Sequence, residues 1–311
     1  MTRYAYLGPE GTFTQQALMM WGPTDGAEQV PCGSVDTALT MLRSGEVDAA
    51  VVPIENSVEG GVSATLDALA SGEPLVVVGE VLVPITFVVC ARPGTAHKDV
   101  RAIGTHSHAW AQVRGWADRT APHAVYVATL STASAAKDLA ERPDEVGYQA
   151  AVCAPVAAER FGLEVFAHDI GDMASAVTRF VVVSRPEWQP APTGKDKTTV
   201  VLYQRSDRAG GLLELLEQFA VRGINMTRLE SRPTKDSMGS YCFSIDFEGH
   251  VQDERVGAAL MSLHRVCADL RFLGSYPAAA GAEITVDPIT TDEAFVEARR
   301  WLERLRALGD A

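Results

Sequence analysis

The chain has 311 residues, 47% of them apolar and 22% charged, which is the composition of an ordinary globular protein long enough for two or three compact units. Its formal net charge of −13 excludes a general nucleic-acid binder, which needs a basic face. It leaves room for a small anionic ligand, because the field inside a pocket can differ in sign from the whole.

The strand-like Tyr4-Ala5-Tyr6-Leu7 comes almost at once, so no signal peptide is expected, and no apolar run is long enough to span a bilayer. The five cysteines, Cys32, Cys90, Cys153, Cys242 and Cys267, are scattered without CxxC spacing. They read as reduced, half-buried thiols of a cytoplasmic protein, not as zinc ligands or a disulfide framework.

Up to about Ser184, β-rich runs alternate with helical patterns. Further strands are expected at Ala49 to Ile54, Leu75 to Val83, Ile85 to Cys90, Val125 to Ala128 and Phe180 to Val183. Helices are expected near Gln15 to Trp21, Val35 to Ser44, Val62 to Ala70, Ala109 to Asp118 and Ala133 to Glu141. This alternation predicts an α/β fold with parallel sheets and helices on both faces. The double run from Leu75 to Cys90, interrupted by Pro84, predicts two lobes with a cleft between them, the second lobe over roughly 83–165.

The prolines and glycine between Arg185 and Lys195 break every periodicity and predict a linker over 186–197, which closes a first region of 1–185. Over 198–276 the pattern is strand Thr198 to Tyr203, helix Gly211 to Arg222, strand Asn225 to Ser231, strand Ser240 to Phe247, helix Asp253 to Cys267 and strand Leu270 to Ser275. That βαββαβ order is ferredoxin-like. The tail, 277–311, carries an amphipathic helix from Thr291 to Leu308, with Phe295, Ala298, Leu302 and Leu305 on one stripe and Gly309 as its stop.

Several predicted helix starts in the first region carry hydroxyls. Thr12 with Gln15 has capping-box spacing; Asn56-Ser57 follows a strand; Ser107 and Ser131-Thr132 precede helices. Unpaired N–H groups and a partial positive charge at such ends suit a carboxylate or phosphate. Four of them at strand–helix turns point to an anion site. His106-Ser107-His108 lacks the accompanying carboxylates of a metal set and reads as structural or substrate-facing. Gly8-Pro9-Glu10-Gly11 lacks the Lys-Ser/Thr ending of a P-loop.

In order, Leu7-Gly8-Pro9-Glu10-Gly11-Thr12-Phe13-Thr14, Pro53-Ile54-Glu55-Asn56-Ser57-Val58-Glu59-Gly60-Gly61, Ser131-Thr132-Ala133 and Thr178-Arg179-Phe180 resemble prephenate dehydratase. Arg222-Gly223-Ile224-Asn225, Glu230-Ser231-Arg232-Pro233 and Asp246-Phe247-Glu248-Gly249-His250 resemble that family's ACT regulatory domain.

The resemblance implies a two-lobed catalytic region like a type II periplasmic binding protein, followed by an ACT domain. It implies conversion of prephenate to phenylpyruvate in phenylalanine biosynthesis, without metal or cofactor. It also implies feedback inhibition by phenylalanine at ACT–ACT interfaces of a homodimer or homotetramer, near Gly210, Gly211, Leu212, Asn225, Glu230, Ser231, Arg232 and Pro233. The dehydratase motif starts at Leu7, so no preceding chorismate mutase domain is expected.

Within that frame Thr178 is assigned to the leaving hydroxyl, Glu55 to the proton source and Arg179 to a substrate carboxylate or to support of Glu55 or Asp172. Thr12, Asn56, Ser57, Ser107, Ser131 and Thr132 are the expected carboxylate holders, and Phe180 packs beside them. Relatives often carry Asn where this chain has Ala176, so arogenate dehydratase stays open as an alternative; Ala209, where Pro is common, stands before the expected phenylalanine-binding Gly210-Gly211-Leu212. A non-enzymatic amino-acid sensor is the other alternative.

Overall fold

The computed structural model describes residues 2–22, 26–173, 175–234, 241–280 and 284–308. The chain divides into two compact units, Met1–Thr65 with Val81–Val181, and Leu66–Glu80 with Val182–Ala311.

The first unit opens with β1 (Arg3–Leu7), α1 (Phe13–Trp21), β2 (Glu28–Cys32), α2 (Val35–Ser44), β3 (Ala49–Asn56), the short β4 (Gly60–Gly61) and α3 (Ser63–Ala70). The run Ala50, Val51, Val52 and Ile54 is wholly buried, as expected of a strand covered on both faces. Val35, Ala38, Leu39 and Leu42 form the buried stripe of α2, which is capped by Ser34 and stopped by Gly45 at φ +80°.

After β5 (Val76–Pro84) come β6 (Val88–Ala91), β7 (Ala102–Thr105), α4 (Ser107–Thr120), β8 (Val125–Ala128), α5 (Thr132–Glu141), β9 (Ala150–Cys153), α6 (Pro155–Arg160), β10 (Glu164–Ala167) and β11 (Val177–Ser184). They build two lobes. One sheet runs β2-β1-β3-β11-β5 with β4 on β3; the other runs β10-β6-β9-β7-β8. The sheets are mixed, which corrects the expectation of purely parallel ones. β1 pairs parallel with β2 and β3, and β7 parallel with β8 and β9, but β6 pairs antiparallel with β9 and β10. β6 is reached straight from β5 of the other sheet and not through a helix from a strand of its own sheet, so no crossover makes it parallel to its neighbours.

Two segments join the lobes, one through Ile85 and Phe87 and one through Ile170. They pair with each other by Ile85 N–H to Ala176 O at 2.8 Å and Ile170 N–H to Phe87 O at 3.1 Å. The lobes also meet at Phe13 and Phe87, edge to face at 5.7 Å, and at the Glu10–Arg160 ion pair.

The second unit holds β12 (Asp196–Tyr203), α7 (Gly211–Ala220), β13 (Met226–Pro233), β14 (Tyr241–Glu248), α8 (Glu254–Val266) and β15 (Asp269–Pro277), then α9 (Asp292–Ala307). Its antiparallel sheet runs β13-β14-β12-β15, the ferredoxin-like order. Val200, Leu202, Ile245 and Phe247 pack with Leu215 and Phe219 of α7 and Val256, Ala259 and Leu263 of α8. Ser240, the expected start of β14, and Gly309, the expected stop of α9, lie outside the described residues.

Segment Leu66–Glu80 belongs to this unit through specific bonds. Lys197 Nζ reaches both oxygens of the buried Glu80 at 2.9 and 3.0 Å, and Arg232 Nε reaches Asp67 Oδ1 at 3.0 Å. Gly274, at φ +113°, passes so close that a Cβ there would lie 2.3 Å from Val77 O.

Candidate active site

β11 carries Thr178, Arg179 and Phe180, and consecutive strand residues face opposite ways. Thr178 and Phe180 line a cavity between the lobes; Arg179 does not. On β3, Pro53 and Asn56 line the cavity and Glu55 does not. Arg179 Nη1 lies 3.3 Å from Glu55 Oε2, so the two form an ion pair away from the cavity lining. Strand alternation separates Thr178 from Arg179, and the ion pair turns Glu55 to that arginine although Pro53, two residues before it on β3, borders the cavity. Asp172 is not the group bound to Arg179 in that pair. Its carboxylate accepts the N–H groups of Gly115 at 2.8 Å and Trp116 at 3.2 Å on α4.

Asn56 Oδ1 accepts the backbone N–H groups of Val58 at 2.8 Å and Glu59 at 3.2 Å. With its oxygen held there, the amide nitrogen faces β11 and donates to Thr178 Oγ1 at 2.7 Å. Ser57 clamps the same strand as a backbone mimic: its N–H donates to Val177 O and its Oγ accepts from Val177 N, both at 2.9 Å. Ser57, expected as a carboxylate holder, is exposed and outside the cavity lining.

The cavity measures about 360 Å³, a size suited to a small metabolite. Three helix N-termini supply its polar wall. Thr12 caps α1, where its Oγ1 accepts Gln15 N–H at 3.3 Å and donates to Leu7 O at 3.2 Å; Gln15 Oε1 accepts Gly11 N–H at 2.7 Å. Ser131 caps α5 in a capping box with Ser134, and Thr132 follows it into the lining. The cap of α4 is His106, whose Nδ1 accepts His108 N–H at 3.3 Å. Ser107, expected as a carboxylate holder, comes after the cap, is exposed and is absent from the lining.

Glu59, His106, His108 and Gln112 also line the cavity. His108 Nδ1 lies 2.8 Å from Glu59 Oε2, and Gln112 Nε2 donates to Glu59 Oε1 at 3.4 Å. Burial holds His106 below the usual histidine value, reinforced by its neighbour His108 and opposed by Glu59. Among the described lining residues there is no lysine or arginine, so an anion meets helix N-termini, hydroxyls, amides and imidazoles.

Glu59 stands inside a motif quoted for its other residues, and Gln112 lies one turn beyond His108 on α4. Those spacings are the sequence signals that could have found them. Thr14 and Phe87 also enter the lining, but nothing in their local pattern separates them from core residues. Among the described residues no group of three or more His, Cys, Asp or Glu side chains is placed to hold a metal ion.

In the second unit Gly210 caps α7 at φ +79°, and Gly211 and Leu212 begin that helix. Gly211 lines a pocket of about 320 Å³ with Gln204, Arg205, Arg208, Glu214 and Arg265. Glu230, Ser231, Arg232 and Pro233 lie on β13, an edge strand, and are not part of that pocket. Arg232 is engaged by Asp67, and Asn225 Nδ2 donates to Glu248 Oε1 at 3.0 Å.

The family model described as prephenate dehydratase matches residues 4–187. A prephenate dehydratase from Amycolatopsis methanolica is 46% identical over 303 residues, covering 97% of each chain. The crystal structure of prephenate dehydratase in complex with L-Phe from Arthrobacter aurescens superposes with a TM-score of 0.94 at 52% identity, over 98% of this chain and 100% of that one. A structure described as a novel type of quorum-quenching acylase superposes with a TM-score of 0.79 at 30% identity, over 89% of this chain and 98% of that one. With the family model spanning more than half its length and the Amycolatopsis enzyme matching almost end to end, the chain belongs to the prephenate dehydratase family.

Proposed function

We propose that the cleft converts prephenate to phenylpyruvate: the dianion takes up one proton and yields the phenylpyruvate anion, carbon dioxide and water. Aromatisation drives the reaction, and the barrier lies in expelling hydroxide as the ring carboxylate departs. The enzyme must therefore place a donor at the ring hydroxyl and hold the side-chain carboxylate.

One observation carries the reading. Thr178 Oγ1 accepts the Asn56 amide at 2.7 Å on the wall of a cavity ringed by helix N-termini. That bond leaves the Thr178 O–H to donate to the departing hydroxyl. Carboxylates are held at the starts of α1 and α5, by Thr12, Ser131, Thr132 and the local N–H groups, while Phe180 packs beside the ring. Glu59, His106 and His108 replace Glu55 as the cavity's titratable groups, and the Glu55–Arg179 pair supports the sheet. Acyl hydrolysis through Thr178 is disfavoured, because an activated nucleophile needs a base on its hydroxyl and the Asn56 amide is a donor.

Phenylalanine is the proposed effector, bound between subunits of a homodimer or homotetramer by the start of α7 in one copy and β13 in another. Supporting this, the two residue sets lie in separate places within one chain, and the Arthrobacter relative was crystallised with L-Phe. The effector then shifts a population between two states of the enzyme. The proposed location is the cytoplasm; among the described residues no helix is long and apolar enough to cross a membrane.

The test is an assay of the purified protein with prephenate and then arogenate, with and without phenylalanine, following keto-acid and amino-acid products. Prephenate turnover suppressed by phenylalanine is expected. Turnover of neither substrate would replace this reading with the sensor.

A further inference from the structure

Glu59 is the single carboxylate among the described residues lining the cavity, and no lysine or arginine stands with it. It comes from the loop after β3 in one lobe, and both its oxygens are engaged from α4 in the other. Oε2 meets His108 Nδ1 at 2.8 Å, and Oε1 meets Gln112 Nε2 at 3.4 Å. An imidazole bearing its proton on Nδ1 donates whether neutral or protonated, so the contact does not need a charged histidine. The other polar side chains of the wall are hydroxyls, amides and imidazoles, none of them negatively charged, and the helix ends add partial positive charge.

A cavity of this kind accommodates a keto oxygen, which accepts hydrogen bonds. It disfavours an ammonium, which brings a positive charge and three N–H donors and needs a negative acceptor. We infer that His108 and Gln112, by donating to both oxygens of Glu59, weaken its hold on an ammonium and so make the cavity select the substrate with a side-chain keto group over the same molecule with an ammonium there. The inference rests on the dehydratase reading above and deepens it: keto–amino selectivity is set by weakening the one lining carboxylate an ammonium could use. His108 is thus a specificity-determining residue acting through Glu59.

The experiment measures kcat/KM for prephenate and for arogenate in the wild type, His108→Leu, His108→Gln and the double variant His108→Leu with Glu59→Gln. His108 is 66% exposed, so the fold is not at stake, and circular dichroism checks this. The wild type is expected to prefer the keto acid. In His108→Leu the released carboxylate narrows that preference about tenfold or more. His108→Gln, which keeps an N–H donor, retains the preference, and adding Glu59→Gln to His108→Leu restores it. An unchanged ratio in folded His108→Leu, with prephenate still turned over by the wild type, overturns this inference alone. Wild-type turnover of neither substrate overturns the dehydratase reading and this inference with it.

Discussion

Asn56 Nδ2 donates to Thr178 Oγ1 across 2.7 Å, joining residues 122 positions apart in the chain. Two backbone N–H groups hold the Asn56 oxygen, so the amide can present only its donor side to the threonine. Asn56 is thereby a positioning residue for the Thr178 hydroxyl. Asn56→Ala should lower kcat by about two orders of magnitude, on the scale of losing one preorganised donor, with a smaller change in KM. Steady-state kinetics beside a thermal melt would check this, and a near-normal kcat in the folded variant would remove Asn56 from the chemistry.

Glu55 offers the complementary case. It is 37% exposed at its ion pair with Arg179 and is absent from the cavity lining. Glu55→Gln should cost about 0.5–1 kcal/mol of stability, the scale of a partly solvated pair. The acid limb of its pH–rate profile should match the wild type. An acid limb that moves or disappears would return Glu55 to the role of proton source.

Gly115 and Asp172 together shape α4. Asp172 accepts Gly115 N–H and Trp116 N–H, while its own N–H donates to Gln112 O at 2.6 Å, so the loop before β11 inserts into the helix ladder. A Cβ on Gly115 would lie 2.6 Å from Asp172 Oδ1. Gly115→Ala should therefore destabilise by about 1–3 kcal/mol and reduce kcat, because the displaced loop leads to Thr178. Chemical denaturation and kinetics on one preparation would test both effects; a wild-type midpoint and kcat would refute the account.

His106 makes stability depend on pH. Its folded value lies below the ordinary 6.5, chiefly through burial. The unfolded chain then binds the extra proton first, so this contribution is fully present above about pH 6.5 and is lost as pH falls toward the depressed folded value. His106→Asn, which keeps a capping side chain, should flatten the urea-midpoint difference between pH 7.5 and a pH below the folded value. A difference as steep as in the wild type would assign it to other groups.

Much of the fold was legible because its signals are local. The helix expected over Val35 to Ser44 and the βαββαβ order after Asp196 both follow from periodicity. The unrecognised strands are short and weakly patterned: β7 reads Ala-Ile-Gly-Thr, β9 reads Ala-Ala-Val-Cys and β2 contains Pro31. Such segments become strands through their neighbours, since strand preference depends on packing and burial more than on intrinsic propensity.

At the site, the chain by itself determined that Thr12 and Ser131 stand at helix starts and that Phe180 enters a strand, because capping and strand patterns act over a few residues; that the strand begins at Val177, setting Thr178 and Phe180 opposite Arg179, came from the structure. Only the tertiary structure decided which face borders the cavity. That choice depends on contacts between β3 and β11 and between the two lobes, over separations no local pattern encodes. It placed Glu55 on the ion-paired side, set Ser57 to holding β11, gave the α4 cap to His106 in place of Ser107, and brought Glu59 under His108 and Gln112.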